Sequence, residues 1–463
     1  MTSETQNLRD QFRAAVEAGE AESFQECLAA LPPADAAEAL EELDAERKAT
    51  VLRQMRPATL APALPYLNAE EIEEILGHLS PHDLQEALNS FPDDDLTDLL
   101  QKLAPATRRS YFSLLRGRKR EAAHRLLEYP ETTAGGRMTT AFATVSEEMT
   151  IRQAIESLAE QREETEVLSR IYVVDDQNRI LGKVRLRDLT FNRRSLLVRD
   201  VMEPEPVAIL ATADQEEAAQ LVAKHDLVTL PVINDNYQLV GVITHDDAME
   251  ILEEESTEDF EKQSGIAGPS GERDYLDTPV LSHFRRRFIW VLGLALLAIT
   301  SGIVIHHFED LLNSAFILAV YMPMIVAAGG NTGAQAATTV IRAMALGEFG
   351  PDQFLRAVWK EMRIGFGLGS ILGLCIALQI TLFFPGGAAK LPPGLSMSTI
   401  ALTVAIALAA QVTTSTVLGA ALPILAKAIK QDPAVVASPA ITTIVDVTGL
   451  VIYFTLARLL LGL

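Results

Sequence analysis

The chain has 463 residues, with 39 Lys+Arg against 62 Asp+Glu and a formal net charge of −23. That length is too great for one hydrophobic core, so several domains are expected. The acidity disfavours nucleic acid as a partner and suits divalent cations, although scattered Glu on helices also serves solubility alone. Cys27 and Cys375 lie far apart, so no disulfide framework is expected.

The acidity is not uniform. Residues 285–463 carry 11 Lys/Arg and 7 Asp/Glu, so the negative excess belongs to residues 1–284. The N-terminus is polar, with no apolar leader. Residues 1–136 are rich in Leu, Ala and Glu at helical spacing, broken by Leu31-Pro32, Arg56-Pro57, Ser80-Pro81, Phe91-Pro92 and Ala104-Pro105. Proline suits a first helical turn, so a stack of short helices is predicted, an all-α solenoid. Asp93, Asp94 and Asp95 open one of these helices, where carboxylates complement the helix dipole.

An internal repeat follows over residues 137–200 and 201–256. Ile171-Tyr172-Val173-Val174-Asp175-Asp176 parallels Leu230-Pro231-Val232-Ile233-Asn234-Asp235, and Gly182-Lys183-Val184 with Asp188 parallels Gly241-Val242-Ile243 with Asp247. Each copy reads as helix, β-branched strand, turn, strand and helix. The repeat resembles a tandem pair of CBS domains, which often bind adenine nucleotides. The Gly-x-x-Thr-x-x-Asp pattern used for nucleotide is intact in the second copy, at Gly241, Thr244 and Asp247, whereas Arg185 replaces the hydroxyl in the first. At most one nucleotide site is expected, around Thr244 and Asp247. A purely structural pair is the alternative.

Residues 246–284 form an acidic helix and linker. Asp246, Asp247, Glu250, Glu253, Glu254, Glu255, Glu258, Asp259 and Glu261 repel one another unless counter-ions intervene. A solvated linker is the plain reading. Its place before the first apolar segment points instead to coupling between the repeat and that segment.

Five uncharged or nearly uncharged runs follow, predicting spans at about 286–306, 311–345, 357–384, 396–426 and 433–461 within a transmembrane domain of 285–463. Arg285–Arg287, Arg342, Arg356, Lys360, Arg363, Lys427 and Lys430 fall on one side and mark it as the cytoplasm. The expected topology is N-terminus inside and C-terminus outside a cytoplasmic membrane. Two polar features stand inside the spans. Gly329-Gly330-Asn331-Thr332-Gly333-Ala334-Gln335 follows Pro323, and its glycines permit a helix break. Asp446, 13 residues after Pro433, is expected ~20 Å into its helix, near the bilayer centre, with Thr442, Thr443 and Thr448 supplying hydroxyls. A carboxylate at that depth normally faces a polar cavity and binds or relays a cation. An Asp held neutral or bonded to a neighbouring helix is the plain alternative.

Pro323 with Gly329–Gln335 and Arg342, Ser438-Pro439 with Asp446-Val447-Thr448-Gly449, and Thr257-Glu258-Asp259 together resemble the MgtE family of magnesium channels and transporters, over essentially the whole chain. The resemblance implies a homodimer with one pore on its two-fold axis, Asp446 of both chains binding Mg²⁺, and carbonyls near Thr442 and Ser438 contacting the ion's waters. From their residue types, Asn331 and Gln335 can bond either a hydrated ion or a partner helix, and Asn331 is a pore-lining candidate on the first of these readings. Ser438 stands where the family commonly has Asn. The resemblance also implies closure by Mg²⁺ bound between acidic cytosolic surfaces, at or near Asp214, Glu216, Asp226, Asp247, Glu250, Glu255, Glu258 and Asp259, with Asp93–Asp95 as N-domain candidates. ATP at the CBS pair is a further implied ligand. The competing readings are a transporter of another cation such as Co²⁺, a non-transporting Mg²⁺ sensor, and a nucleotide-regulated membrane enzyme. The last is disfavoured because neither a Walker A loop nor His-Glu-x-x-His occurs.

Overall fold

Proline sets the boundaries of the N-terminal helices. In the computed structural model, which describes residues 3–67, 69–162, 165, 167–204, 206–266, 268, 275, 278–383, 395–435 and 438–463, Pro33, Pro57, Pro81 and Pro105 each occupy a first helical turn. There the fixed φ fits, and the missing N–H would have had no partner inside the helix. The helices are α1 (Ser3–Ala18), α2 (Ala21–Ala30), α3 (Pro33–Glu41), α4 (Ala45–Gln54), α5 (Pro57–Leu60), α6 (Ala69–His78), α7 (Pro81–Ser90), α8 (Asp93–Lys102), α9 (Pro105–Leu114) and α10 (Gly117–Leu126). Asp44 caps α4 by accepting from the Arg47 N–H at 2.8 Å. The inward faces meet in one apolar core that includes Phe12, Phe24, Leu40, Leu64, Ile75, Leu88, Phe91 and Leu100. The N domain is all-helical, as its spacing predicts.

The repeat follows as β1 (Phe142–Ser146), α11 (Ile151–Glu160), β2 (Val167–Val174), β3 (Ile180–Val184), α12 (Leu186–Phe191), β4 (Glu203–Pro204), β5 (Ile209–Leu210), α13 (Gln215–His225), β6 (Thr229–Ile233), β7 (Leu239–Thr244) and α14 (His245–Gln263). The sheets run β1-β2-β3-β4 and β5-β6-β7. In each copy a parallel pair is crossed by a helix, and an antiparallel hairpin then closes the sheet. The hairpin turns are pinned alike. Asp175 Oδ1 accepts from the Gln177 and Arg179 N–H groups at 2.9 Å, and Asn234 Oδ1 accepts from those of Asn236 and Gln238 at 3.0 Å.

The two copies share a buried hydrogen bond, Tyr172 Oη to Thr229 Oγ1 at 2.7 Å. Burial pushes the Tyr172 phenol up to about 12. Tyr172→Phe strands the buried Thr229 hydroxyl and should cost ~1–3 kcal/mol in urea unfolding. Thr229→Val in the same chain should recover part of that loss, because both polar partners are then gone.

Two units divide the chain, Met1–Glu255 and Ser256–Leu463. The second holds α15 (Val280–His307), α16 (Glu309–Ser314), α17 (Ile317–Ala345), α18 (Phe354–Phe383), α19 (Met397–Ala428) and α20 (Ser438–Leu461). Among the described residues, five segments are long and apolar enough to cross a membrane: Val280–His307, Ile317–Ala345, Pro351–Leu382, Met397–Ala428 and Pro439–Leu461. Leu318, Ile325, Ile380, Val404, Leu408, Val412, Tyr453 and Phe454 pack at their centre. There the Tyr453 hydroxyl donates to the Leu318 carbonyl at 2.8 Å. α15 buries no residue within the protomer. Its exposed Ile289, Val291, Leu296, Ile299 and Ile303 are at no disadvantage against lipid tails.

Three local expectations change. The span expected at 311–345 is divided, with α16 ending at Ser314 before α17 begins. α17 then continues unbroken through Pro323, Gly329 and Gly330, so the glycines serve close helix approach rather than a break. α20 begins at Ser438, after a 3₁₀ turn at Pro433–Val435. Asp446 therefore stands ~12 Å into its helix instead of ~20 Å, about one turn short of the midpoint of α20. The loop at 384–394, with Lys390, and most of the linker at 267–277 lie outside the described residues.

Candidate functional site

Glycine brings α17 against the face of α20 that carries Asp446. A β-carbon at Gly330 would lie 2.9 Å from Thr442 Cγ2 and 3.5 Å from Asp446 Oδ1, and one at Gly333 would lie 3.3 Å from Val445 Cγ2. Asp446 is half-buried, and its Oδ1 is enclosed without a hydrogen-bond partner among the described residues. The neighbouring threonines divide. Thr443 Oγ1 donates to the Pro439 carbonyl at 2.9 Å and Thr448 Oγ1 to the Ile444 carbonyl at 3.0 Å, so both hydroxyls turn back on their own helix instead of joining the carboxylate. Thr442 alone shares the Gly330 contact with Asp446. Asn331 is exposed on the protomer surface. Ser438 begins α20, but its side chain lies outside the described residues. An uncompensated carboxylate among apolar helices is an attractor for cations.

The second unit also contains the end of α14. Lys262 Nζ lies 2.6 Å from Glu258 Oε1 and 2.7 Å from Asp432 Oδ2, and Asp432 Oδ1 caps the turn before α20 by accepting from the Ala434 N–H at 2.8 Å. Burial opposes the Lys262 charge, but Asp432 and Glu258 override it and hold the ammonium above the usual lysine range. Glu261 pairs with Arg286 at the start of α15. Asp259 is half-buried on the same turn as Glu258. Lys262 of the acidic helix and Arg286 of α15 thus act as counter-ions near its end, and Lys262 ties it to the segment leading into α20.

Within the first unit the predicted carboxylates scatter. Asp93 is buried and fully used: Lys119 Nζ lies 2.8 Å from Oδ1, and Thr140 Oγ1 donates to Oδ2 at 2.6 Å. It fastens α8 to α10 and to the strand entry rather than standing ready for a metal. Asp94 and Asp95 follow on the first turn, half-buried. Asp214 caps α13, accepting from the Glu216 N–H at 2.8 Å, whereas Asp226 ends the same helix in a left-handed conformation at φ 48. Asp214 and Glu216 therefore sit a helix length from Asp226. Glu255 accepts from Gln215 Nε2, and Glu250 is exposed. Among the described residues, three potential metal ligands converge only at exposed His82 with Asp83 and Glu86, none of them predicted.

The nucleotide pattern closes on itself in both copies. Thr244 Oγ1 donates to Asp247 Oδ2 at 2.5 Å, and burial raises the Asp247 carboxyl despite that bond. In the first copy Arg185 Nε reaches Asp188 Oδ2 at 2.8 Å and holds that carboxyl low. The arginine that replaces the hydroxyl keeps the same contact.

Three family profiles match the chain: MgtE, a divalent cation transporter, over residues 322–456, the MgtE intracellular N domain over 31–132, and the CBS domain over 134–193 and 198–254. The magnesium transporter MgtE of Thermus thermophilus is 34% identical over 348 residues, covering 75% of this chain and 74% of that protein. The chain belongs to the MgtE family of divalent cation transporters. The magnesium transporter MgtE of Bacillus subtilis is 30% identical over 337 residues, covering 73% of this chain and 71% of its own length. The crystal structure of the cytosolic domain of the Mg²⁺ channel MgtE in complex with ATP aligns with a TM-score of 0.50 at 34% identity, over 52% of this chain and 99% of that one.

Several groups in this MgtE chain were not singled out from sequence. Lys262 and Asp432 carry ordinary surface residue types, and only folding makes them partners. Glu361 is a buried carboxylate in the membrane unit, on α18, where Thr416 Oγ1 donates to its backbone carbonyl at 3.1 Å. Arg137 reaches Asp98 Oδ2 at 3.0 Å, pairs with Glu254, and donates to Gln215 Oε1 at 2.9 Å. It links α8, α13 and α14 within the first unit. Burial raises the Asp98 carboxyl to about 6, although Arg137 opposes the shift. A raised carboxyl makes the folded state bind the extra proton, so stability should fall as pH rises from ~4 to ~6 and level off above that. The Asp98 ¹³C-carboxyl resonance should titrate near pH 6, and Asp98→Asn should flatten the decline.

Proposed function

We propose that this chain carries Mg²⁺ through the membrane down its electrochemical gradient, as a homodimer with a pore on the two-fold axis and the C-terminus outside. The observation that carries the reading is Asp446: a carboxylate on α20, set against the bare backbone of α17 at Gly330, with Oδ1 unpartnered among the described residues. Mg²⁺ gives up its waters reluctantly and prefers six oxygens around it. A passage that takes the ion hydrated needs negative charge and acceptor oxygens at water-bridged distance, and Asp446 with carbonyls near Thr442 and Ser438 would supply them. Asn331 would border the same passage. Selection then follows charge and size without the cost of dehydration. The driving force is about 4.6 kcal/mol per dication per 100 mV. The names of the relatives, a magnesium transporter and a Mg²⁺ channel, support Mg²⁺ as the cargo.

Regulation is the second half of the proposal. Mg²⁺ binding between acidic cytosolic surfaces would favour the closed pore, with Asp214, Glu216, Asp226, Asp247, Glu250, Glu255, Glu258 and Asp259 as ligand candidates and Asp94 and Asp95 in the N domain. Among the described residues of the first unit, these carboxylates do not gather into one cluster. Ligand sets assembled between surfaces, or bound through the ion's waters, suit such a distribution. ATP would occupy the second repeat, with Asp247 exchanging its Thr244 contact for ribose hydroxyls; the ATP complex of the related cytosolic domain supports this. The test is Mg²⁺ influx into liposomes holding the full-length chain, recorded against internal Mg²⁺, with Co²⁺ and Na⁺ as competitors. Absence of Mg²⁺ flux would leave a sensor without transport, and Co²⁺ flux alone would change the cargo.

A further inference from the structure

Gln411 lies near the middle of α19 with its side chain completely enclosed, at 0% exposure. Its Nε2 donates to the Val445 carbonyl of α20 at 2.9 Å, and its Oε1 is buried with no hydrogen-bond partner among the described residues. The amide fills a slot between two helix backbones. A β-carbon at Gly329 of α17 would lie 2.4 Å from Nε2, and one at Gly449 of α20 would lie 2.3 Å from the same atom. Ser415, one turn on, donates to the Gln411 backbone carbonyl at 2.7 Å and so leaves the side-chain oxygen alone.

Packing alone does not call for this residue. Leucine has a similar volume and would bury no polar atom, whereas an orphaned amide oxygen is costly where no water can reach it. What the amide adds is direction. Val445 precedes Asp446, and its carbonyl belongs to the peptide unit that carries the Asp446 N–H. A bond to that carbonyl fixes both the rotation of α20 about its axis and its height against α19. At 3.6 residues per turn, a slip of one residue would swing the carboxylate away from Gly330. The two glycines complete the device, because side chains at either position would expel the amide.

We propose that Gln411 is a positioning residue that sets the azimuth and depth of the Asp446 carboxylate by binding the peptide unit before it. The proposal rests on the reading of Asp446 as the cation-binding group.

The test compares wild type, Gln411→Leu, Gly449→Ala and Asp446→Asn as full-length protein in liposomes, measuring Mg²⁺ influx against external Mg²⁺ together with melting temperature. Gln411→Leu should raise the half-saturating Mg²⁺ concentration about tenfold, the scale of one lost hydrogen bond, and lower Mg²⁺-over-Na⁺ selectivity similarly. Its melting temperature should hold or rise, since the orphaned oxygen is gone. Gly449→Ala keeps the amide but displaces it, and should shift half-saturation in the same direction. It also serves as the test should Gln411→Leu fail to fold. Unchanged half-saturation in either folded variant, with Asp446→Asn impaired, overturns the positioning role alone. If Asp446→Asn itself has no effect, the cation-site reading falls and Gln411 loses its assigned purpose with it.

Discussion

Replacing Asp446 with alanine is expected to abolish Mg²⁺-selective flux while leaving the fold intact. A dication held about 5 Å from a carboxylate gains about 6–7 kcal/mol of gross attraction at an effective dielectric near 20, and a monovalent ion gains half as much. If about 2 kcal/mol of the Mg²⁺ term survives desolvation, occupancy at the site falls about 30-fold on removal of the charge. The preference over Na⁺ shrinks with it. Oδ1 has no partner among the described residues, so no opposing cation is stranded by the substitution. Asp446→Glu keeps the charge but must find room beside Gly330 and should retain partial flux. Liposome influx recorded with Mg²⁺ and Na⁺ side by side checks the prediction, and an Asp446→Ala protein with wild-type selectivity would reject the assignment.

Glu258→Gln with Asp259→Asn is the second large effect: flux should continue at internal Mg²⁺ concentrations that silence the parent. Closing a pore from 1:99 to 99:1 needs about 5.5 kcal/mol of differential binding, and several weak acidic sites acting together could supply it. Removing two carboxylates from the last turns of α14 takes away part of that sum. Glu258 is also one of the two carboxylates on Lys262, the other being Asp432 beside the entry to α20. Lys262→Met releases both and should leave closure more dependent on Mg²⁺, with the half-closing concentration raised. Patch recordings across a range of internal Mg²⁺ measure each shift, and normal closure in the double variant would count against the gating reading.

How legible the site was depended on what each residue needed. Asp446 stood out because a charge within an apolar run is conspicuous in sequence. Gly329 and Gly330 were conspicuous too, but composition does not distinguish a glycine that breaks a helix from one that admits a neighbour. The unbroken α17 and the Thr442 and Asp446 contacts at Gly330 separate the two. Asp93 looked like Asp94 and Asp95 until Lys119 and Thr140 were found on its oxygens. Gln411 drew no attention, since a lone amide in a span is ordinary until its partner carbonyl is known.

The all-helical N domain, the doubled α/β repeat and the five apolar segments are all legible along the chain. Each of these follows from a local pattern: proline at helix starts, β-branched runs between turn residues, and runs of about twenty or more side chains suited to lipid. Tertiary structure alone decided which carboxylates are free and which are bound. It set Lys262 between Glu258 and Asp432, Arg137 between Asp98 and Glu254, and Gln411 against the peptide bond before Asp446. The physical reason is range. Periodicity records whether a segment is buried, whereas an ion pair or hydrogen bond is settled by a few ångströms between groups far apart in the chain.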